Sequence, residues 1–186
     1  MTVGFALCGS FCTYDQIFPV IEELAQKYDI IPILSGISGK ADTRFGTAQS
    51  HWETICTIPG RQPLTTIPEV EPIGPKKLLD ALIIAPCTGN TLAKLAHSIA
   101  DTSVTMAAKS HLRNGRPVLI AVSTNDALAG AAENIGRLMS RRNYYFVPFG
   151  QDDPEKKPTS MVADFKKIPQ ALEAALEGRQ IQPILL

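Results

Sequence analysis

The sequence predicts an α/β fold in which helices cover both faces of one parallel sheet. Short apolar segments alternate with longer amphipathic ones, the order that a parallel sheet with helical crossovers requires. Two apolar segments, residues 81–85 and 117–122, run directly into polar turns that open helical patterns. Since 186 residues suffice for one sizeable core but not comfortably for two, we expect a single domain over residues 1–186.

The chain begins with a strand, a turn, a helix and a second strand. Residues 3–7 are short and apolar, which indicates a buried strand. Residues 13–27 carry apolar side chains on one helical face, although Pro19 should kink this helix or shift its start. Residues 29–34 form the second predicted strand, because they are again mostly apolar.

The segment 40–77 is the least regular part of the sequence and is rich in glycine and proline. We expect a short helix at residues 48–53 and a short third strand at 54–58. The remainder should be loop, ending in a helix over residues 75–79 with Pro75 in its first turn.

Regular alternation returns after this segment. It predicts strands at residues 82–85, 117–122 and 144–148, and helices at residues 90–100, 103–113, 127–142 and 161–176. Asn114 and Gly115 are typical of a helix end, and Pro169 indicates a break in the last helix. Six strands fit the order 3-2-1-4-5-6, with helices on both faces and the switch point beside the first strand.

Hydroxyl-bearing turns follow four of the predicted strands. The pairs are Ser10 with Thr13, Ser35 with Ser38, Thr88 with Thr91, and Ser123 with Thr124. One such residue after a strand is usually a helix cap, but recurrence at four strand ends favours a binding site. Helix amino termini add free N–H groups there, so we expect the turns to hold a phosphate and a flat polar ligand.

Several functional classes are disfavoured. The formal net charge is zero and no basic stripe is present, which argues against nucleic acid. Cys8 and Cys12 lack the second pair that a zinc site needs, so we expect no metal. The apolar start has no basic segment and no apolar run reaches membrane-spanning length, which predicts a cytosolic chain. The first turn, C-G-S-F-C-T, has one glycine, which disfavours classical NAD binding.

The turn after the fourth predicted strand carries a resemblance to a known family. Its sequence is Ala85-Pro86-Cys87-Thr88-Gly89-Asn90-Thr91, and residues 94–101 follow with Lys-Leu-Ala-His-Ser-Ile-Ala-Asp. These segments resemble the P-A-S-A-N-T and G-I-A-D signatures of the flavoprotein family, which includes homo-oligomeric, flavin-containing cysteine decarboxylases and flavin prenyltransferases. Segments 9–14, 71–76, 122–128 and 148–154 are similar to the flavoprotein-like subunits of dipicolinate-forming enzymes.

The resemblance implies a Rossmann-like sheet, FMN at the strand ends, and a homo-oligomer with the flavin near an interface between copies. It also implies a partner, the nicotinamide-binding A subunit of such an enzyme, which binds NADP or NAD. Together the two would oxidise a dihydrodipicolinate-type precursor, a small dicarboxylate, to dipicolinate in the mother cell of a sporulating bacterium. Matched to the family, the cofactor residues are Gly9, Ser10, Ser35, Cys87, Thr88, Asn90, Thr91 and Ser123, and the substrate residues are Thr124 and Asn125.

The chain also departs from the family pattern. The decarboxylases place a catalytic histidine about twenty residues before their motif, whereas His51 precedes Pro86 by thirty-five residues, and the P-x-M-N-x-x-M clasp is absent. No catalytic base can be named. Three functions therefore stay open: one half of a two-chain enzyme, a non-catalytic scaffold that completes the partner's active site, and an independent flavin enzyme. His51 is a catalytic acid, a flavin-site neighbour, or a surface or interface anchor, and Cys87 is either a redox thiol or an inert packing residue.

Overall fold

The computed structural model describes residues 1–186 and contains one seven-stranded sheet with seven α-helices. The strands are β1 Thr2–Leu7, β2 Asp29–Leu34, β3 Ala81–Cys87, β4 Val118–Thr124, β5 Tyr144–Phe146, β6 Phe149–Gly150 and β7 Met161–Ala163. The helices are α1 Tyr14–Ala25, α2 Ala48–Thr57, α3 Ile67–Val70, α4 Gly89–Ala96, α5 Ser103–Leu112, α6 Ala132–Met139 and α7 Ile168–Leu176. None of them has the length and apolar character needed to cross a membrane.

The sheet confirms the predicted fold class. Its order is β2-β1-β3-β4-β7-β6, and β5 pairs with the first half of β4. β1, β2, β3, β4 and β5 are parallel, whereas β6 and β7 form an antiparallel extension beside the end of β4. The strand order therefore differs in detail from the predicted 3-2-1-4-5-6. The predicted switch point is retained, because β2 is added on one side of β1 and β3 on the other.

Helices cover both faces of this sheet. α1 and α7 pack together on one face, and α4, α5 and α6 pack on the other. All seven residues of β3 are buried, because this strand lies in the middle of the sheet between both layers. The sheet and both helix layers share one continuous apolar core, which holds the strands in place.

The predicted third strand at residues 54–58 is wrong, because helix α2 runs through Thr57. Thr47 caps this helix by accepting a bond from the Ser50 amide, and Ile55 buries its side chain. Thr54 satisfies its hydroxyl on the Ser50 carbonyl, so β-branched residues are tolerated in the helix. A single parallel bridge between Ile33 and Leu64 is all that extends the sheet beyond β2.

The predicted helix at residues 75–79 is also wrong. The chain instead forms α3 and then a 3-10 turn, Glu71–Ile73. A capping box between Thr66 and Glu69 starts α3, and proline lies in its first turn, so the helix begins about eight residues earlier than expected.

Residues 161–176 do not form one helix. Met161–Ala163 is strand β7, with Met161 and Ala163 buried and Val162 half-buried, which is the alternation of a strand. Pro169 lies in the first turn of α7 and marks its start rather than a break. α6 likewise begins at Ala132, because the Asp126 carbonyl accepts bonds from Ala129 and Ala131 and folds residues 125–131 into turns.

Candidate functional site

The turn that follows β1 meets the last residues of β4 at the carboxyl edge of the sheet. The Ser10 and Ser123 hydroxyls lie 2.8 Å apart and share a hydrogen bond, although they are far apart in the sequence. Ser123 is buried and Ser10 is half-buried. β1 and β4 are separated in the sheet by β3, so this bond spans the end of the central strand and brings Ser10 and Ser123 together.

The turn after β1 leads into a 3-10 helix, Phe11–Thr13. The Thr13 hydroxyl donates to the Ser10 carbonyl at 2.8 Å, and the Tyr14 hydroxyl donates to the Cys8 carbonyl at 3.0 Å. A Cβ added at Gly9 would lie only 2.8 Å from Cγ2 of Ile37. Two hydroxyls therefore anchor the backbone of this turn, and Ile37 leaves no room for a larger residue at Gly9.

Ser35 and Ser38 lie beside this turn, at the end of β2. Their hydroxyls are 2.7 Å apart, and the Ser38 hydroxyl donates to the Leu7 carbonyl at 3.1 Å. The Ser35 amide donates to the same carbonyl at 3.0 Å. Ser35 thus belongs to the same sheet edge as Ser10, but it stands outside the cleft described below.

The turn after β3 joins the site through Thr88, which precedes the first residue of α4. The Thr88 hydroxyl donates to Thr91 at 3.3 Å, and the Thr91 hydroxyl points inward and donates to Cys8 Sγ at 3.3 Å. Cys87 is fully buried, whereas Asn90 is exposed at the helix amino terminus. Of the residues predicted in this turn, Thr88 lines the cleft directly and Thr91 lies behind it.

Gly89 brings the amino terminus of α4 against the turn that follows β4. A Cβ at this position would lie 2.8 Å from both Thr124 Oγ1 and Asp126 Oδ1. The Thr124 hydroxyl donates to the Asp126 carboxylate, which fixes both oxygens. Only glycine leaves room for this close approach, so the two turns form one wall.

These turns enclose a cleft of about 370 Å³. Its walls include six of the predicted residues: Gly9, Ser10, Thr88, Ser123, Thr124 and Asn125. Phe11 and Phe45 add aromatic surface, and the loop before β7 adds Asp152, Lys157 and Ser160. Asn125 is held by this loop, since the Thr159 hydroxyl donates to its carbonyl at 2.6 Å.

One ion pair contributes the charge in the cleft. Lys157 Nζ lies 3.1 Å from Asp152 Oδ2. Burial alone would raise the pKa of Asp152, but hydrogen bonds from Ser160 and Lys157 outweigh it and hold that pKa below its usual range. The hydrogen bond to Asp152 raises the pKa of Lys157. Both groups are therefore charged near neutral pH, and neither is suited to act as a general base.

The two buried thiols are protonated near neutral pH. Burial raises the pKa of Cys8 to about 11, and burial also raises the pKa of Cys87 well above its usual range. Because the thiolate is the reactive form, these pKa values favour packing roles. For Cys87 this supports the inert alternative.

His51 supports the cleft from behind. Its ring stacks on Phe11 with centroids 5.9 Å apart and meets Tyr14 edge-on at 4.9 Å. Its Nε2 lies 3.3 Å from the Phe45 carbonyl, and its buried Nδ1 has no hydrogen-bond partner. Since Phe11 and Phe45 line the cleft, His51 contacts two of its walls without being part of them.

Sequence reasoning missed Asp126, Asp152, Lys157 and the two phenylalanines. Asp152 and Lys157 lie in the charged loop 151–158, where their spacing gave no periodic signal. Phe11 and Asp126 each stand within three residues of a predicted site residue, and this proximity was the signal available for them.

The chain resembles known proteins in sequence and in fold. The model of the flavoprotein family matches residues 1–170. The chain is 46% identical to the B subunit of dipicolinate synthase from Bacillus subtilis (strain 168) over 185 residues, which are 99% of this chain and 92% of that protein. The crystal structure of the B subunit of dipicolinate synthase from Bacillus halodurans C superposes with a TM-score of 0.91 at 43% identity, covering 100% of this chain and 95% of the other.

A more distant structure shares the fold. The FMN-dependent cysteine decarboxylase SpaF superposes with a TM-score of 0.70 at 23% identity, covering 95% of each chain. At this identity the match shows a common architecture and does not transfer the reaction.

Proposed function

The chain belongs to the flavoprotein family, and from this premise we propose that it binds FMN at the carboxyl edge of its sheet and acts as the B subunit of a dipicolinate synthase. The observation that carries the proposal is the hydrogen bond between Ser10 and Ser123, which gathers the hydroxyl-bearing turns around one cleft. The similarity to the B subunit of dipicolinate synthase over almost the whole chain supports the reaction.

The hydroxyl and amide groups at this edge of the sheet fit FMN in chemistry. Hydroxyls of Ser10 and Ser35, at the ends of β1 and β2, would hold the phosphate. The turn of Thr88, Asn90 and Thr91 would lie under the flavin ring, with Ser123 and Cys87 near it. The close approach at Gly89 packs the amino terminus of α4 against Thr124 and Asp126, which would hold this turn in place under the ring. When bound, FMN would supply a two-electron acceptor.

The substrate would meet the other half of the cleft. Thr124 and Asn125 offer a hydroxyl and an amide to its carboxylates, and Lys157 is the cation in that wall. Because Lys157 is paired with Asp152, a substrate carboxylate would compete with Asp152 for this ammonium group. The chain's own task would be to orient the dicarboxylate and exclude water.

The partner would be the A subunit of dipicolinate synthase, which binds NADP or NAD and is called the nicotinamide-binding partner below. The turn after β1 has a single glycine, so a nicotinamide dinucleotide is expected on the partner. Oxidation of a dihydrodipicolinate-type precursor removes two electrons and two protons and gives dipicolinate. We also expect a homo-oligomer in the mother-cell cytoplasm of a sporulating bacterium.

A second candidate is a non-catalytic scaffold that completes the active site of the nicotinamide-binding partner. The observation that favours it is the pairing of Asp152 with Lys157, which leaves the cleft without a free carboxylate to act as a base. In that case FMN would be dispensable, and the cleft would contact substrate or the partner chain.

Reconstitution distinguishes the two candidates. The nicotinamide-binding partner and this chain are assayed for dipicolinate separately and together, with and without FMN. Product that requires both chains and FMN supports the proposal, whereas product from both chains without FMN supports the scaffold, and product from the partner alone contradicts a role for this chain in the enzyme. Asn125→Ala should lower kcat/KM while FMN stays bound, and Asn134→Ala, on helix α6 outside the cleft, is the matched control.

A further inference from the structure

A groove runs along the amino edge of the sheet, at the opposite end of the strands from the cleft. It consists of two adjoining clefts of about 490 Å³ and about 610 Å³, which share the segment 141–144 that leads into β5. One cleft reaches between α4 and α5, and the other reaches Ile184 near the end of the chain. We name the two together the amino-edge groove.

Four cationic side chains line the amino-edge groove: Lys109, Arg113, Arg141 and Arg142. No aspartate or glutamate lines either cleft, and none of the four takes part in an ion pair. Arg141 donates to the backbone carbonyls of Leu95 and Ala96, which carry no net charge. The groove therefore has a positive potential although the whole chain is neutral.

These exposed cations repel one another weakly, and an anionic partner would relieve the repulsion. Lys109 and Arg113 are four residues apart at the end of α5, where like charges lie side by side and repel. Arg141 and Arg142 add two more charges across the groove. The partial negative charge at the helix end offsets part of this repulsion, and no carboxylate lies within ion-pair distance of the four cations.

The groove also exposes apolar surface. Ile99 is 47% exposed at the rim of the first cleft, and Met139 is 41% exposed at the rim of the second. Tyr144 forms part of the wall that both clefts share. Apolar surface flanked by unpaired cations matches a partner that presents carboxylates around an apolar side chain.

We propose that the amino-edge groove docks an extended acidic segment of the nicotinamide-binding partner. This inference rests on the proposed function, which supplies the partner. The groove is open and continues through two clefts, so it fits a peptide segment better than a single dicarboxylate. Docking at this edge would leave the carboxyl edge free for FMN and substrate.

The test measures binding of the purified nicotinamide-binding partner to this chain by calorimetry at low and high salt, about 50 mM and about 300 mM. The wild-type chain should bind more weakly at high salt. The double variant Arg113→Glu and Arg142→Glu should bind at least tenfold more weakly at low salt, with a smaller salt dependence and unchanged FMN retention. The control variant, Lys27→Glu and Lys166→Glu, makes the same charge change at exposed positions outside the groove and should bind like wild type.

Each outcome decides the inference. Wild-type affinity in the groove variant overturns it, even if the two proteins form an active complex. Absence of any complex overturns both the docking site and the partner that the proposed function names, whereas loss of FMN binding alone overturns only the cofactor. Displacement of the nicotinamide-binding partner by a short DNA duplex would assign the groove to nucleic acid instead. If the double variant does not fold, Arg113→Gln and Arg142→Gln should still weaken binding about threefold.

Discussion

Replacing Gly89 by alanine should weaken FMN binding while leaving the fold intact. The new Cβ would lie 2.8 Å from Thr124 Oγ1 and from Asp126 Oδ1, and both oxygens must retreat by about 0.6 Å to reach an ordinary contact of 3.4 Å. Because the Thr124 hydroxyl is bonded to the Asp126 carboxylate, the two oxygens move together and displace the wall of the cleft. We expect a loss of about tenfold in FMN affinity, or about 1.4 kcal/mol.

The stability of this variant should change little. Replacing glycine by alanine restricts the unfolded chain, which stabilises the protein by about 0.4–1 kcal/mol and offsets the strain on two side-chain ends. Gly136→Ala is the control, because a Cβ at Gly136 in α6 meets nothing within 4 Å. This control should be more stable by about 0.5–1 kcal/mol and bind FMN normally.

The assay is a titration of FMN fluorescence for Gly89→Ala, Gly136→Ala and wild type, with urea unfolding of each. Wild-type FMN affinity in Gly89→Ala, with a folded protein, would refute the assignment of this turn to the cofactor. Equal loss of FMN affinity in both variants would show that the effect is not local to the cleft.

Three further predictions concern the packing, hydrogen bonding and pH dependence of the fold. Gly74→Ala should lower the free energy of unfolding by about 1–3 kcal/mol, because the new Cβ would lie 2.8 Å from the backbone carbonyl oxygen of Ser110. An unchanged midpoint of urea unfolding would contradict this packing. Ser10→Ala and Ser123→Ala should show a coupling of about 0.5–1.5 kcal/mol in a double-mutant cycle, whereas additive effects would mean that their 2.8 Å bond is not formed. Burial lowers the pKa of His111 from 6.5 to about 4 in the folded protein. Because the unfolded chain therefore protonates His111 at a higher pH, the free energy of unfolding should fall by up to about 3 kcal/mol as the pH drops from 6.5 to 4. His111→Gln should flatten that pH dependence, and a slope equal to wild type would contradict it.

The parallel sheet was predictable because its strands carry their own signal. β1, β3 and β4 each contain an apolar run that leads into polar residues, and both layers of helices follow from this alternation. The structure of segment 40–77 was not predictable, because local preference and tertiary packing disagree there. Thr54 and Ile55 favour a strand by propensity, yet Ile55 reaches the core from a helix that Thr47 caps.

The candidate site was predictable only as a set of turns. The carboxyl ends of parallel strands share one edge, so Ser10, Thr88 and Ser123 were expected near one another. The sequence could not reveal which hydroxyls face the cleft: Thr88 lines it, whereas Thr91 turns inward to Cys8. The same limit applies to the amino-edge groove, since its cations come from α5 and from the turn before β5 and meet only in the folded chain.

The most direct test of the central claim is an absorbance spectrum of the purified chain after incubation with FMN and gel filtration. The account predicts that the near-ultraviolet and blue bands of the flavin co-elute with the protein, and that Ser35→Ala reduces the retained flavin. A colourless protein that retains no FMN, in a preparation shown to be folded, would contradict a cofactor site at the carboxyl edge of the sheet.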